Sequence, residues 1–373
     1  MSDLEVHPSR WEHGSFFHLS LEPGVLEAPW NGGPSTLWGS GRDAMRALLA
    51  WGRETLGFER IVVPSFFCPK VTSALARELP VAIYPDAPED PLPDRFEASA
   101  RDVLLVVNTY GMRARPRVDT RAVVLEDHSH DPLSPWAFES EADYAVASLR
   151  KTLPLPDGGV LWSPKRRELP SERRWTATHA RAAASRLAAM AWKRQYLEGL
   201  PLDKETYRAR AIAAEVAIGT GEISGITPLS RERLPALPGR AWRDRRARNL
   251  AAFRSALGEV PGVRVLEAPF AATLVFDAAD RREQVRAALV AARAYPAVLW
   301  PLEGDVHPDV PAGHRELSRR VLSLHCDFRY GEHDMERVAE AVRRAGSGGR
   351  GAPRQDREGI RRPGPDVSLQ GLR

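Results

Sequence analysis

Short apolar runs alternate with helical patterns through the first half of the chain, and this alternation limits the folds that are available. The runs are short, rich in β-branched residues, and lie at 61–64, 81–84, 102–108, 122–125, 144–147 and 160–162. Strands of this kind are typical of a sheet that is buried on both faces. The pattern therefore predicts an α/β fold, with a mainly parallel sheet flanked by helices.

Polar residues follow several of these runs at the point where each predicted strand ends. Asn108 closes one run, Asp127 and His130 follow the next, and Ser148 and Lys151 follow the third. In open parallel sheets, ligands bind outside the carboxyl ends of the strands. We therefore expect these side chains to meet at one edge of the sheet.

The loop from Ser148 to Gly159 contains a candidate catalytic lysine. Lys151 lies in it, and Pro154 and Pro156 restrict its backbone. A lysine on a stiff loop at a strand end is a candidate for imine formation with an aldehyde cofactor. The alternative is an ordinary solvated lysine, which is the usual state of this residue type.

A second signal precedes the first long helical pattern. Ser40, Gly41 and Arg42 lie just before apolar residues at helical spacing. The amino end of a helix has free N–H groups and a positive dipole end, so it can bind phosphate, and Arg42 adds a fork of donors. An ordinary capped helix would have the same residues.

Together these residues match what pyridoxal 5′-phosphate needs from a protein: an amine, a carboxylate at the ring nitrogen and donors for the phosphate. Lys151 supplies the amine, and its pKa must fall from about 10.4 for it to attack. Asp127 supplies the carboxylate. Gly41, Arg42 and Ser148 supply phosphate donors.

The order of the motifs resembles one family. The motifs are Gly41-Arg42, Val63-Pro64-Ser65-Phe66, Tyr110-Gly111, Glu126-Asp127-x-x-His130, and Ser148-x-x-Lys151 followed by Gly158-Gly159. The set is similar to that of the DegT-type aminotransferases, which are fold-type I pyridoxal phosphate enzymes and often act on sugars. The resemblance implies a large, mainly parallel seven-stranded sheet and a smaller C-terminal α+β domain.

The resemblance also implies roles for particular residues. Lys151 is then the Schiff-base lysine, and Asp127 is the partner of the ring nitrogen. Further cofactor contacts are implied for six residues: Ser40, Gly41, Arg42 and Ser148 at the phosphate, His130 at the phenolic oxygen, and Asn108 at a strand end. The Ser-to-Lys spacing is three residues, shorter than in many sugar aminotransferases. The resemblance therefore predicts the cofactor more strongly than a nucleotide-sugar substrate.

The predicted activity is an aminotransferase reaction on a small metabolite or a sugar-derived ketone, with a separate amino donor. Two alternatives remain open at this point. One is a pyridoxal phosphate-dependent lyase, dehydratase or racemase acting on an amino acid, because these enzymes share the residues around the cofactor. The other is a non-catalytic, aminotransferase-like protein that binds a partner through its arginine-rich middle.

Changes in composition along the chain predict its division into domains. We expect an N-terminal arm (1–37), a large cofactor-binding domain (38–238) that ends in a proline-rich linker (228–238), a small α+β domain (239–345) and a disordered tail (346–373). Strands are predicted in the small domain at 263–266, 273–276, 297–300 and 321–324. Helices are predicted near 166–217, 241–257, 281–293 and 334–345.

Composition limits the remaining classes. The chain has 373 residues, 43% of them hydrophobic, and only two cysteines, so no disulfide framework is expected. The first residues have no signal-peptide pattern, and no apolar run is long enough for a membrane span. The net charge is +4, but the sequence contains no recognisable nucleic-acid-binding motif, so the charge does not indicate a nucleic-acid partner. We expect a cytoplasmic homodimer with a shared active site, no metal, no nucleic acid and no membrane partner.

Overall fold

The computed structural model describes residues 4–14, 16–304 and 307–347. The strands in this part of the chain are β1 (His13–Gly14), β2 (Ser35–Trp38), β3 (Arg60–Pro64), β4 (Val81–Tyr84), β5 (Asp102–Val107), β6 (Val123–Asp127), β7 (Tyr144–Ser148), β8 (Gly159–Trp162), β9 (Val263–Val265), β10 (Ala271–Phe276), β11 (Ala294–Tyr295) and β12 (Val321–His325). Its α-helices are α1 (Gly41–Thr55), α2 (Pro69–Leu75), α3 (Pro135–Phe138), α4 (Ala177–Leu197), α5 (Lys204–Ala217), α6 (Pro228–Arg233), α7 (Gly239–Leu257), α8 (Ala279–Ala291), α9 (Ala312–Arg320) and α10 (Glu332–Ser347).

The large sheet has seven strands in the order β2-β8-β7-β6-β5-β3-β4. The pairs β3–β4, β3–β5, β5–β6 and β6–β7 are parallel, and β8 runs antiparallel to both of its neighbours. The prediction of an α/β fold built on a mainly parallel seven-stranded sheet is confirmed. All the apolar runs predicted as strands in this half of the chain are strands of this sheet.

Both faces of the large sheet are buried, as its continuous apolar strands require. On one face, Leu125 and Val146 pack with Leu48 and Leu49 of α1. On the other, residues such as Ala145 and Ala147 pack with Met190 of α4 and Trp242 of α7. The sheet is therefore the middle layer between helices.

The strand register brings the predicted polar residues to one edge. Asp127 at the end of β6 pairs with Val107 of β5 and with Val146 of β7. Because side chains alternate along a strand, Asp127 lies on the same face as Leu125, and Ser148 on the same face as Val146. Both therefore lie on the face that α1 covers.

A smaller antiparallel sheet has the order β12-β10-β9 and packs against α7, α8 and α10. The predicted strand at 297–300 is wrong. Only Ala297 makes a bridge, to Ser323, and the carbonyl oxygens of Leu299 and Trp300 accept hydrogen bonds from the Tyr110 and Ser318 hydroxyls. The segment is apolar because it is buried between the two sheets, not because it belongs to one.

The predicted linker and the N-terminal arm contain more regular secondary structure than the sequence predicts. The predicted linker contains helix α6, which begins at Pro228, and a 3₁₀ turn at Leu234–Ala236. Proline is tolerated in the first turn of a helix because the N–H it lacks would have no partner there. The N-terminal arm adds β2 to the edge of the large sheet.

Of the predicted tail (346–373), residues 346 and 347 end α10, and the rest lies outside the described residues. Within the described ranges, no helix has the length and apolar character that crossing a bilayer requires. The domain boundaries predicted from composition stay a prediction.

Candidate active site

A cavity opens at the carboxyl edge of the large sheet, between that sheet, the small sheet and the N-terminal arm. Three of the predicted site residues line it: His130, Ser148 and Lys151. The other lining residues come from distant parts of the chain: Phe16, Phe17, Arg150, Arg186, Ala211, Glu215, Phe270, Leu299, Trp300, His325 and Arg329. The walls combine aromatic surface with a group of charges.

Lys151 ends a single 3₁₀ turn, Leu149–Lys151, that directly follows β7. Its Nζ atom lies 3.4 Å from Nε2 of His130 and 4.7 Å from the centroid of the Trp300 ring. The side chain is half-buried. The predicted lysine is therefore in the cavity, with a titratable neighbour and an aromatic wall.

Backbone geometry determines the tautomer of His130. The N–H of Tyr110 donates to Nδ1 of His130 at 2.9 Å, so Nδ1 is an acceptor and the ring proton is on Nε2. This Nε2–H faces the amine of Lys151. A hydrogen bond donated to the amine nitrogen favours the neutral, nucleophilic form of that amine over the ammonium.

Aromatic rings hold His130 in this orientation. Tyr110, Phe270 and Trp300 stack on the imidazole, with ring centroids 5.7, 4.5 and 5.2 Å away. Phe270 and Trp300 come from the small-sheet half of the chain. The orientation of His130 therefore depends on both halves of the molecule.

Asp127 lies behind the cavity wall and is connected to it through two serines. Its Oδ1 accepts the N–H of Ser129 at 2.8 Å, and the Ser129 hydroxyl accepts the N–H of Ser148 at 2.8 Å. Asp127 is buried, with 4% of its surface exposed. The carboxylate is thus held on the same sheet face as Ser148, next to the strand that leads to Lys151.

The amino end of α1 packs against Ser148. A Cβ atom added at Gly41 would lie 2.9 Å from the Cβ atom of Ser148, closer than carbon atoms pack. The Ser40 hydroxyl caps the helix by accepting the N–H of Asp43 at 3.1 Å and donates to the Asp43 carboxylate at 2.7 Å. Glycine at position 41 therefore permits the close contact between the helix end and the cavity.

The last two predicted residues lie apart from the cavity lining. Arg42 donates from Nη2 to the carbonyl oxygen of Ile218 at the end of α5, and burial together with the charge of Arg150 lowers its pKa. Asn108 is fully buried. Its Oδ1 accepts the N–H of Arg113, and its Nδ2 has no hydrogen-bond partner among the described residues.

Sequence reasoning missed the acidic residue of the cavity. Glu215 of α5 accepts hydrogen bonds from Arg150 and from Arg186 of α4. Burial raises the pKa of Glu215, but the two guanidinium groups outweigh this effect and lower it to about 2. The only signal in the sequence was the arginine-rich helical stretch, which is more typical of solvated helix faces.

Comparison with solved structures establishes the fold. PseC of Helicobacter pylori, an aminotransferase in the biosynthesis of pseudoaminic acid, is 10% identical, with a TM-score of 0.57 over 90% of this chain and 100% of PseC. DesI, solved in the presence of its TDP-sugar product, is 20% identical, with a TM-score of 0.56 over 86% of this chain and 83% of DesI. Spr1654 of Streptococcus pneumoniae in its PLP form is 11% identical, with a TM-score of 0.52 over 85% and 88% of the two chains. No protein-family model matches the sequence, and no curated protein matches it significantly.

Proposed function

We propose that this protein is a pyridoxal 5′-phosphate-dependent aminotransferase and that Lys151 is the lysine that binds the cofactor aldehyde. One observation carries the proposal: the Nζ atom of Lys151 lies 3.4 Å from the protonated Nε2 of His130, at the carboxyl edge of the sheet. The likeness in fold to PseC, an aminotransferase, supports it.

The residues around Lys151 fit the cofactor. When bound, pyridoxal phosphate supplies an aldehyde that condenses with amines and a ring that accepts an electron pair. Asp127 is a buried carboxylate for the ring nitrogen, and its negative charge would hold that nitrogen protonated. The amino end of α1 and the Ser148 hydroxyl offer donors for a phosphate. The Nδ2 of Asn108 is a buried donor without an acceptor in the described part of the chain.

The protein groups have distinct tasks in this proposal. His130 would hold the Lys151 amine in its neutral form through the Nε2 proton. Lys151 would then take a proton from the α-carbon of the substrate and return it, as a general base and acid. Trp300 and Phe270 would exclude water from the cavity and limit the poses that a substrate can adopt.

The substrate and the assembly belong to the same proposal. A sugar-derived ketone is the acceptor that the fold favours, because DesI was solved with a TDP-sugar product and PseC takes part in pseudoaminic acid biosynthesis. A separate amino compound would be the donor. We also propose a homodimer with a shared site, which sedimentation and cross-linking would test, and a cytoplasmic location, which cell fractionation would test.

The decisive experiment is cofactor trapping. The purified protein should bind pyridoxal phosphate with a visible absorbance band, and borohydride should fix a pyridoxyl group on the Lys151 peptide. Lys151→Ala should lose both the band and the label, whereas Lys70→Ala, which removes an exposed lysine, should keep them. A label on another lysine, or no label, would contradict the assignment.

A second measurement tests the reaction type. Amino donors should convert the bound cofactor to its pyridoxamine form, with the spectral change that accompanies this conversion. A screen of common amino acids in which the cofactor is retained but never converted would rule out transamination.

A further inference from the structure

Arg150, Arg186 and Glu215 form a charged cluster in the cavity wall. None of them is among the residues that the sequence predicts to contact the cofactor. Arg150 donates from Nη1 to Oε2 of Glu215 and from Nη2 to Oε1, the second contact being 3.2 Å. Nη1 of Arg186 also donates to Oε2 of Glu215. All three residues line the cavity. One carboxylate thus holds two guanidinium groups side by side.

Each guanidinium keeps an unused donor. The Nε atoms of Arg150 and Arg186 are buried and have no hydrogen-bond partner among the described residues. The two side chains are 10% and 8% exposed, so water is largely excluded from both. Buried donors normally find an acceptor, because leaving one unpaired is unfavourable. The two guanidinium groups therefore carry more donors than the single Glu215 carboxylate accepts.

The charge balance of the cavity wall indicates the sign of that ligand. Among the described residues, the basic lining residues are Arg150, Lys151, Arg186 and Arg329, and the acidic one is Glu215. Asp327 pairs with Arg329 through both of its oxygen atoms, and Lys151 is neutral in the proposed function. Arg150 and Arg186 therefore exceed Glu215 by one positive charge. Two further carboxylates act on Arg150 from behind the wall, Asp43 and Asp157, and both already accept hydrogen bonds from protein groups. The face toward the cavity is therefore cationic.

We propose that Arg150 and Arg186 bind an anionic oxygen group of a ligand that enters the cavity, in competition with the Glu215 carboxylate that they already contact. A phosphate or a carboxylate has the geometry that a guanidinium fork recognises. Within the proposed function, the group is either the phosphate of the cofactor or a carboxylate of the amino donor. The inference therefore rests on the proposed function only for the source of the anion.

Inorganic phosphate is the first probe, because its binding can be measured without a cofactor. Arg186→Gln should weaken phosphate binding to the apoprotein about ten- to hundredfold, the loss expected for one charge-assisted hydrogen bond. Glu215→Gln should strengthen it, because the variant removes the competing negative charge. Arg181→Gln removes an exposed arginine from the same helix and should change nothing. Isothermal titration calorimetry measures all four proteins.

A second set of titrations identifies the source of the anion. If the site holds the cofactor phosphate, Arg186→Gln weakens pyridoxal phosphate binding but leaves the binding of pyridoxal, which has no phosphate, unchanged. If it holds the donor carboxylate, the variant keeps its cofactor affinity and instead binds succinate more weakly, as read from the cofactor absorbance.

Phosphate affinity is expected to fall in Arg186→Gln and to rise in Glu215→Gln. These opposite changes separate an effect on binding from an effect on folding. If the cluster had only a structural role, phosphate binding by Arg186→Gln and Glu215→Gln would be weakened in both variants or unchanged in both. Either result would overturn the inference. Should Arg186→Gln fail to fold, Glu215→Gln alone decides, since only an anion site predicts tighter binding. Phosphate binding by the wild-type protein, together with no pyridoxyl label on its Lys151, would refute the proposed function and leave the anion site standing.

Discussion

The Nε2 atom of His130 lies 3.4 Å from the Nζ atom of Lys151, although the two residues are 21 positions apart in the chain. Neighbouring parallel strands bring them together, because β6 precedes the loop of His130 and β7 precedes the turn of Lys151. The N–H of Tyr110 then fixes which imidazole nitrogen carries the proton. The pair is the most specific chemical feature of the cavity.

The first prediction concerns this pair. His130→Phe keeps a ring for stacking but removes the acceptor of the Tyr110 N–H and the donor that faces Lys151. We expect pyridoxal phosphate to attach to Lys151 about tenfold more slowly, in line with the loss of one hydrogen bond. Stopped-flow absorbance measures the rate.

The control for this prediction is His333→Phe, which changes a histidine whose side chain is 94% exposed on α10. That variant should attach the cofactor at the wild-type rate. An unchanged rate in His130→Phe would show that the contact with Lys151 has no chemical role.

The second prediction concerns the close contact between α1 and Ser148. Gly41→Ala places a methyl group 2.9 Å from the Cβ atom of Ser148 and must push the helix end away. Overpacking of this kind destabilises a protein by about 1–3 kcal/mol. We also expect weaker binding of pyridoxal phosphate, since the helix end and Ser148 would no longer converge on one phosphate. Equilibrium titration of the apoprotein measures the affinity.

Gly32→Ala is the matched control, because a Cβ atom at that position meets no atom within 4 Å. It should retain both stability and cofactor affinity. If Gly41→Ala binds the cofactor as tightly as Gly32→Ala does, the phosphate does not sit at this helix end.

The strand ends could be predicted from sequence because the information is local. The apolar run 122–125 and the polar residues that follow it are neighbours in the chain, and the edge at which Asp127 lies follows from the general geometry of parallel sheets. Ser148 and Lys151 directly follow the next apolar run, 144–147, so the same geometry places them at the same edge of the sheet.

Glu215 and Trp300 could not be predicted in this way. Glu215 reaches the cavity because α4 and α5 pack as a pair, which brings it to Arg150 and Arg186, and no local pattern encodes that packing. Trp300 belongs to a buried apolar segment, and a short buried run has the same appearance in sequence as a strand. Both residues depend on contacts between distant parts of the chain.

The third prediction concerns Asp157, which anchors the loop between Lys151 and β8. Its carboxylate accepts hydrogen bonds from His179 at 2.9 Å, from the Thr227 N–H at 2.8 Å, from the Thr227 hydroxyl at 2.7 Å, and from Ser230. Burial raises the pKa of Asp157, but these donors outweigh that effect and lower it. The charge on this buried group is therefore part of the folded structure.

Asp157→Asn removes the charge and one acceptor, so we expect the free energy of unfolding to fall by about 3 kcal/mol at neutral pH. Urea denaturation measures this change, and limited proteolysis should detect faster cleavage in the Lys151 loop. Asp119→Asn, at an exposed position, should leave the free energy of unfolding unchanged. Equal stability of the two variants would contradict the anchoring role.

The fourth prediction concerns Glu12 in the N-terminal arm. Its carboxylate is almost fully buried and pairs with Lys193 at 2.9 Å and with Lys204 at 2.5 Å. Burial raises the pKa of Glu12, but the two ammonium groups outweigh it and lower the pKa from 4.5 to about 2. Burial lowers the pKa of Lys193 to about 8, so that lysine still carries its charge throughout the acid range.

Because the pKa of Glu12 is lower in the folded state than in the unfolded state, the ionised carboxylate stabilises the fold above pH 4.5. This contribution is about 3 kcal/mol, and it is lost as the pH falls from 4.5 to about 2. Glu12→Gln should therefore be less stable than the wild type at pH 7, and the difference should shrink as the pH falls below 4.5. Urea denaturation at a series of pH values measures it, with exposed Glu5→Gln as the control. A difference between wild type and Glu12→Gln that stays constant from pH 7 to pH 3 would show that packing, and not the charge of Glu12, holds the arm on α4 and α5.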